Sequence, residues 1–351
     1  MKSKIAGILI LVLVILAGGG YYFFSQNNRT MVLRGYLGGE KTGLFEDEEV
    51  QEILQKKYHM EFDYARAGSL DMITADHSDM DYLFPSSQTA LALYEDQIGD
   101  PVQDQIIFNT PIVLYTHQSI KDAFQEQGAV TEENGVFYMD MEKLVQMIME
   151  DTQWADIGLG ELYGRISVDT TDPVKSNSGN MFAALLASVL NGGETVNEQT
   201  VETVLPELKE IYSRLGYMET SSSDIFDQFL KMGIGAKPMI AGYESQILEF
   251  AAQNPEDYEQ LKEDIVMIYP TPTVWSTHVY IALDDQGKNG AAALLDEDVQ
   301  RLAWEKHGFR TNNYETLENG GGQEVEELAG DITRVVPVPD YPAMKRIIEG
   351  L

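Results

Sequence analysis

Residues 170–190 read TTDPVKSNSGNMFAALLASVL, and this stretch decides the class of fold. Small hydroxyl and amide side chains and a glycine, Ser176 to Gly179, stand directly before an apolar run that predicts a buried helix. The preceding GRISVDTTDP (164–173) is typical of a strand. Such a polar turn is either ordinary helix capping, which stabilises a helix by about 1 kcal/mol, or a place where backbone N–H groups and hydroxyls hold a ligand.

The same order of strand, polar turn and helix recurs along the chain. TMVLRGYL (30–37), MEFDYARAGS (60–69) and DMDYLFPSS (79–87) each read as an extended run that ends in small polar residues. Helical patterns follow these turns, and no solenoid or propeller repeat is present. Strands that alternate with helices predict an α/β fold with a mainly parallel sheet covered on both faces.

Composition excludes several classes of function. The chain has 351 residues, no cysteine and a formal net charge of −33. The absence of cysteine excludes disulfide scaffolds, thiol catalysis and Cys-ligated metals. Residues 1–30 hold three basic and no acidic residues, so the remainder has 57 acidic against 21 basic residues, a charge of −36. Because such a field repels nucleic acid and anionic lipid surfaces, we expect no nucleic-acid partner.

The N-terminus predicts a membrane anchor. Lys2 and Lys4 precede a run without charge from Ile5 to Phe24, about the 20 residues that span a bilayer. The basic flank predicts that the bulk of the chain lies outside the cytoplasm, as an extracellular or periplasmic domain. The rival interpretation is a signal peptide cleaved near residues 17–20, which leaves the bulk secreted.

Motifs of catalysis and metal binding do not occur in the sequence. The five histidines lack H-E-x-x-H spacing, and G-x-S-x-G is absent. GGEKTG (38–43) lacks the spacing of a phosphate loop, and GIGAKP (233–238) fails the dinucleotide pattern. DHSDMD (76–81) and DDQGKNG (284–290) lack EF-hand spacing and read as turns. We therefore predict no enzymatic activity, no cofactor and no metal.

The polar turns themselves are the candidate site. In open α/β sheets, ligands lie outside the carboxyl ends of the strands, where loops meet helix N-termini. Capping alone explains any one turn, but five or six of them on one side of a sheet form a pocket wall. The candidate ligand-binding residues are Gly39, Thr42, Ser69, Ser86, Ser87, Thr110, Ser176, Asn177, Ser178, Gly179, Tyr243 and Glu244.

Six segments follow one another along the chain in an order that is informative. They are GSLDM (68–72), YLFPSSQTALALY (82–94), NTPIVLYT (109–116), DTTDPVKSNSGNMF (169–182), GYESQ (242–246) and LLDEDVQRLAWEKHGFR (294–310). In this order they resemble the type II class of bacterial extracellular solute-binding proteins, in particular the branch near the molybdate- and sulfate-type binders. The resemblance covers about residues 31–312, and no single segment of it is highly specific.

The resemblance implies two α/β lobes, each with a mainly parallel sheet flanked by helices, that close over one ligand. It places the two crossover strands at IIFNTPIVLYT (106–116) and MIYPTPTVW (267–275). The expected domains are an N-terminal anchor at 1–30, lobe one at 31–110 plus 270–312, lobe two at 111–269, and a C-terminal extension with a terminal helix at 313–351.

The expected function is capture of a small polar ligand between the lobes, for transport or sensing through a membrane partner. An oxyanion is favoured, because neutral hydroxyl and backbone dipoles bind a dehydrated anion without a countercharge. Glu244 would favour a cationic or hydroxyl-rich ligand if it pointed into the cleft, and otherwise would face solvent. The alternative is a membrane-anchored scaffold of the same fold that docks a protein partner through its acidic face or residues 313–351.

Overall fold

The computed structural model describes residues 30–311, 325 and 327–351. The strands in this part of the chain are β1 (Met31–Leu37), β2 (Met60–Arg66), β3 (Tyr82–Phe84), β4 (Gln103–His117), β5 (Val130–Glu133), β6 (Val136–Asp140), β7 (Met239–Tyr243), β8 (Ile265–Thr271) and β9 (Trp275–Ala282). The helices are α1 (Thr42–Glu46), α2 (Glu48–Tyr58), α3 (Asp71–Thr74), α4 (Gln88–Gln97), α5 (Gln118–Glu126), α6 (Met141–Met149), α7 (Asn177–Leu190), α8 (Val201–Ser213), α9 (Ser222–Met232), α10 (Glu244–Gln253), α11 (Pro255–Leu261), α12 (Gly287–Leu294), α13 (Glu297–His307) and α14 (Tyr341–Gly350).

Strand β4 belongs to two sheets and joins the two lobes. Up to Pro111 it pairs antiparallel with β9, and from Ile112 it pairs antiparallel with β7 and then β8. The first sheet has the order β2-β1-β3-β9-β4, and the second is built from β7, β4, β8, β6 and β5. The lobe boundaries predicted from the sequence stay a prediction. Strand β4 changes its partner strand between Pro111 and Ile112.

Both sheets are mixed, so the prediction of mainly parallel sheets is wrong. Pairs β1–β2, β1–β3 and β6–β8 are parallel. The pairs that involve β4 are antiparallel, as are β3–β9 and β5–β6. The physical reason is that the chain passes from the first lobe to the second and back. Since β4 carries the chain into the second lobe and β8 and β9 carry it back, these strands run in opposite directions.

The return connection, residues 272–274 between β8 and β9, is hydrogen-bonded to β4 at the point where β4 changes its partner strand. The Thr273 hydroxyl donates to the carbonyl of Ile112 at 2.7 Å, and the N–H of Ile112 donates to the carbonyl of Val274 at 3.0 Å. Residues 272–274 therefore link β8 to β9 directly alongside the other crossing strand. Both crossings lie together at one junction between the lobes.

Helix α7 forms the centre of the second lobe. Every residue from Asn177 to Val189 is buried, and the helix packs against α6 and α8. An apolar surface on all sides is typical of a helix enclosed by the core. Gly179 allows one of these close contacts, because a Cβ at this position would lie 2.3 Å from the carbonyl oxygen of Thr171.

The C-terminal segment, residues 327–351, packs on both lobes. The carbonyl of Arg334 accepts the N–H of Thr273 at 2.9 Å, so the segment is attached to the return connection. Helix α14 then packs against α7 and α8 of the second lobe and α4 of the first. Its residues Ala343, Met344 and Ile347 are fully buried. The described part of the predicted 313–351 extension is therefore integral to the folded body.

We expect Ile347→Ala to lower the free energy of unfolding by about 2–5 kcal/mol, the range for a large side chain truncated in a core. Glu349→Ala on the exposed face of the same helix should change it by no more than about 0.5 kcal/mol. Urea denaturation of the two variants measures the difference. Equal effects would contradict the docking of α14 on the body.

Within residues 30–311, 325 and 327–351, no helix combines the length and the apolar character needed to cross a bilayer. The anchor predicted at 1–30 lies, apart from Thr30, outside the described residues.

Candidate functional site

A cavity of about 380 Å³ lies between the lobes. The loops that follow β1 and β2 line it from the first lobe. The end of β7 and the residues around the first turns of α7 and α9 line it from the second. The lining residues are Gly38, Gly39, Glu40, Arg66, Ala67, Gly68, Ser69, Lys175, Ser176, Asn177, Thr220, Ser221, Ser222, Ser223, Asp224 and Tyr243.

Two uncapped helix N-termini meet at this cavity. The N-cap residues are Ser176 for α7 and Ser221 for α9, both with extended backbone, and neither side chain accepts a hydrogen bond from its first turn. By contrast, Ser87 caps α4 by accepting the N–H of Thr89 at 3.1 Å. First-turn N–H groups and the positive ends of two helix dipoles are thus left at the cavity, which is an arrangement that favours anions.

Charged side chains of both signs complete the wall. Arg66 comes from the first lobe and Lys175 from the second, and both are largely exposed. Glu40 and Asp224 add carboxylates, also from opposite lobes. The cavity therefore combines two kinds of group. Cationic side chains and helix N-termini can bind an anionic end of a ligand, and carboxylates can accept hydrogen bonds from its other end.

Beneath the wall, a buried cluster fixes the Glu40 carboxylate. The Lys41 ammonium is fully buried and donates to Glu40 Oε1 and to Ser86 Oγ, each at 2.6 Å. It also lies 3.2 Å from His278 Nδ1 and 4.8 Å from the centre of the Phe84 ring. The Ser86 hydroxyl donates to the same carboxylate. A buried ammonium is tolerated only when it is paired and hydrogen-bonded in this way.

The ionisation of this cluster follows from burial and charge together. Burial alone would raise the pKa of the Glu40 carboxyl, but the Lys41 ammonium and the hydrogen bonds from Lys41 and Ser86 outweigh it and lower that pKa to about 2. Burial lowers the pKa of Lys41, and it holds the pKa of His278 well below its usual value. Glu40 is therefore a carboxylate at neutral pH, fixed at the edge of the cavity.

Comparisons with known proteins give a structural answer only. No family model and no curated protein matches the chain. Among solved structures, the sulfate-binding protein SubI from Mycobacterium tuberculosis matches with a TM-score of 0.57 at 12% identity, over 92% of this chain and 99% of that one. The periplasmic binding protein AfuA from Actinobacillus pleuropneumoniae, with fructose-6-phosphate bound, matches with a TM-score of 0.57 at 14% identity, over 91% and 97% of the two chains.

A third match is IdiA (FutA) from Trichodesmium, in complex with iron and citrate, with a TM-score of 0.51 at 10% identity, over 91% of this chain and 99% of that one. The fold is that of the periplasmic substrate-binding proteins. This confirms the two-lobed α/β fold expected from the sequence. At these identities the likeness shows the fold and not the ligand.

Within this fold, five of the residues predicted from the sequence line the interlobe cavity. They are Gly39, Ser69, Ser176, Asn177 and Tyr243. The Asn177 amide lies within hydrogen-bonding distance of Ser86 O at 2.8 Å, the Tyr243 hydroxyl at 3.0 Å and Ser276 Oγ at 3.1 Å. Asn177 thus connects the N-terminus of α7 to the first lobe at the back of the cavity.

Six other predicted residues do not line the cavity, and four of them are held by hydrogen bonds inside the protein. Ser86 lies in the buried cluster, and Ser178 lies 2.7 Å from Thr171 Oγ1. Ser87 caps α4, and Thr110 accepts the N–H of Ser245 at 3.2 Å. Thr42 and Gly179 also lie off the cavity wall, the latter because of its close packing on Thr171. Their binding roles stay predictions that the geometry of the cavity does not favour.

Glu244 follows neither alternative considered for it. Its carboxylate is fully buried, and its two oxygens share the N–H of Arg310 Nε, at 2.7 and 2.8 Å. Arg310 also donates to the carbonyls of Ala329 at 2.5 Å and Gly330 at 3.0 Å. Glu244 therefore joins the start of α10 to the end of α13 and the C-terminal segment, away from cavity and solvent.

Sequence reasoning missed Glu40, Arg66, Lys175 and the segment Thr220–Asp224. The last of these carries the same signal as residues 176–179, a run of hydroxyl side chains before an amphipathic helix. Among the described residues, no group of three or more His, Asp or Glu side chains is arranged to hold a metal ion.

Proposed function

We propose that this protein captures a small polar solute that carries an anionic group, in the cavity between its lobes. The observation that carries the proposal is the meeting of two uncapped helix N-termini, those of α7 and α9, at one cavity. Arg66 and Lys175 add positive charge from opposite lobes. The local site can thus attract an anion although the chain as a whole is strongly acidic.

The ligand is larger than a bare oxyanion. The cavity of about 380 Å³ is in the size range of sites for organic molecules. Glu40 would repel a second negative charge placed beside it and would accept hydrogen bonds from hydroxyl or amino groups. We therefore infer a phosphate, sulfate or carboxylate group borne on a hydroxyl- or amino-bearing body. SubI is named for sulfate and AfuA holds fructose-6-phosphate, so anionic ligands are compatible with this fold.

The proposed role is delivery of this solute to a membrane transporter or sensor. Retention at the outer face of the membrane through residues 1–30 belongs to the same proposal, and its support is the uncharged run in the sequence. The alternative, a scaffold that docks a protein partner through its acidic face or residues 313–351, stays a prediction. Within the C-terminal part, Ala343, Met344 and Ile347 of α14 are packed against the body and are not exposed to a partner.

The test is thermal unfolding and calorimetric titration with inorganic phosphate, sulfate, sugar phosphates and amino acids. A ligand at 100 times its Kd should stabilise the protein by about 2.7 kcal/mol. We expect Arg66→Ala to weaken binding of the best ligand about tenfold or more, because a charge-assisted hydrogen bond contributes about 1.5–3 kcal/mol. The unfolding temperature without ligand should change little, since Arg66 is exposed.

Arg34→Ala is the matched control. Arg34 lies on the neighbouring strand β1, pairs with Asp63 at 3.5 Å and does not line the cavity. Binding by this variant should equal that of the unmodified protein. The proposal fails if no ligand class shifts the unfolding temperature, or if the two arginine variants bind equally well.

A further inference from the structure

A second cavity, of about 480 Å³, lies inside the second lobe. Helices α6, α7 and α8 and residues 165–168 enclose it. Seven of its lining side chains are apolar and almost completely buried. These are Leu144, Ile148, Ile166, Val168, Phe182, Leu186 and Ile211.

This cavity is separate from the interlobe cleft. Asn177 lines the cleft, whereas Phe182 and Leu186 line the second cavity. They lie five and nine residues further along the same helix, which corresponds to roughly 8 and 14 Å at 1.5 Å per residue. The two cavities share no lining residue. Protein interiors are normally packed with few voids larger than a water molecule. A space of this size with mostly apolar walls is therefore suited to an apolar guest.

The mouth of the second cavity is charged. Arg165 and Arg214 both pair with the Asp151 carboxylate, at 2.8 and 2.9 Å. Arg214 also donates to the carbonyl of Ile148 at 2.5 Å and pairs with Glu210 at 2.6 Å, so its guanidinium is fixed in place. Arg165 remains more than half exposed. The Arg165 guanidinium carries five N–H donors, and its hydrogen bond to Asp151 uses one of them.

Two exposed aromatic residues adjoin this mouth in the sequence. Tyr163 precedes Arg165 by two positions and is 103% exposed, and Tyr217 follows Leu215 by two positions and is 81% exposed. Both Arg165 and Leu215 line the cavity. Apolar walls behind guanidinium donors at the entrance form a gradient from polar to apolar along the path inward.

We propose that this second cavity binds an aliphatic carboxylate, a molecule of the medium-chain fatty acid type. Its hydrocarbon chain would fill the space between α6, α7 and α8, and its carboxylate would accept hydrogen bonds from Arg165 at the mouth. Bidentate pairing of a carboxylate with arginine suits the planar guanidinium. This site is independent of the solute proposed for the interlobe cleft.

The test uses decanoate and 1-decanol in titration calorimetry with the full chain, together with displacement of a fluorescent apolar probe, N-phenyl-1-naphthylamine. We expect saturable binding of one decanoate per chain, with 1-decanol at least tenfold weaker. Arg165→Gln should remove this preference for the carboxylate. The cleft variant Arg66→Ala should bind decanoate as the unmodified protein does, which separates this site from the proposed function.

Filling the cavity provides the structural control. Leu186→Trp, or Ile211→Phe from the opposite helix, should lower decanoate affinity at least tenfold while the circular dichroism spectrum is retained; the second variant serves if the first does not fold. Absence of saturable binding, equal affinity for decanol and decanoate, or binding that a folded filled variant does not alter would each overturn the proposal.

Discussion

Replacing Glu244 by glutamine is expected to lower the free energy of unfolding by about 3–5 kcal/mol, because it leaves the Arg310 guanidinium buried without a countercharge. Glu244 is fully buried and Arg310 is 6% exposed. Burial by itself would lower the pKa of Arg310, but the Glu244 carboxylate outweighs it and raises that pKa. A guanidinium does not lose its proton in proteins, because its intrinsic pKa is above 12, so the arginine stays charged in the variant and retains only uncharged acceptors.

Glu202→Gln provides the comparison for this first variant. It also removes a carboxylate from a bond to an arginine, Arg346, but both side chains are largely exposed, at 60% and 44%. Exposed pairs contribute about 0–1 kcal/mol, so this loss should be small. Guanidinium chloride denaturation of both variants gives the two values. Losses of similar size would show that the Glu244–Arg310 pair does not support the junction of α10, α13 and the C-terminal segment.

Glu40→Gln should have an effect of similar size, about 3–5 kcal/mol at pH 7, through Lys41. The Lys41 ammonium is 0% exposed, and the variant removes its ion-pair partner. Lys41 can respond by losing its proton. Removal of the proton from a lysine of ordinary pKa costs about 5 kcal/mol at pH 7. This cost sets an upper limit on the loss in free energy of unfolding. Addition of Lys41→Met to Glu40→Gln should restore much of the loss, which denaturation of the single and double variants will measure.

The pH dependence gives an independent check on the same pair. The pKa of Glu40 is about 2 in the folded protein, below the usual 4.5, so the unfolded chain binds the proton more readily. The stability that Glu40 contributes is therefore complete above about pH 4.5 and lost as the pH falls to about 2. The gap in unfolding free energy between the unmodified protein and Glu40→Gln should narrow across this range. A constant gap would contradict the assignment of Glu40 as the partner of Lys41.

Local patterns in the sequence were sufficient for the fold class. The apolar run after Ser176 predicts a buried helix, and α7 is buried along its length. The order of strands, polar turns and helices predicts an α/β fold, and the resemblance to solute-binding proteins implies two lobes. The structure has both. The direction of the strands was not predictable in the same way. Strand direction depends on which strands cross between the lobes, and periodicity along one segment does not carry that information.

For the candidate site, the sequence by itself determined where polar turns meet helix starts, because capping residues and apolar periodicity are local properties. It placed Ser69, Ser176 and Asn177 in such turns, and these residues line the cavity. Only the tertiary structure decided which serines are free to face it. Ser87 and Ser176 are both N-cap serines, yet Ser87 accepts a backbone N–H of its helix, whereas Ser176 accepts none and its hydroxyl lies 3.1 Å from the Ser178 hydroxyl.

Contacts between residues that are far apart in the sequence were decided by the tertiary structure alone. Glu244 meets Arg310 across 66 residues of chain, and Lys41 meets His278 across 237. The sequence shows that these residues are charged or titratable, but burial and pairing depend on which elements pack together. The energies of a buried charge are set by its neighbours in space, which a sequence pattern does not specify.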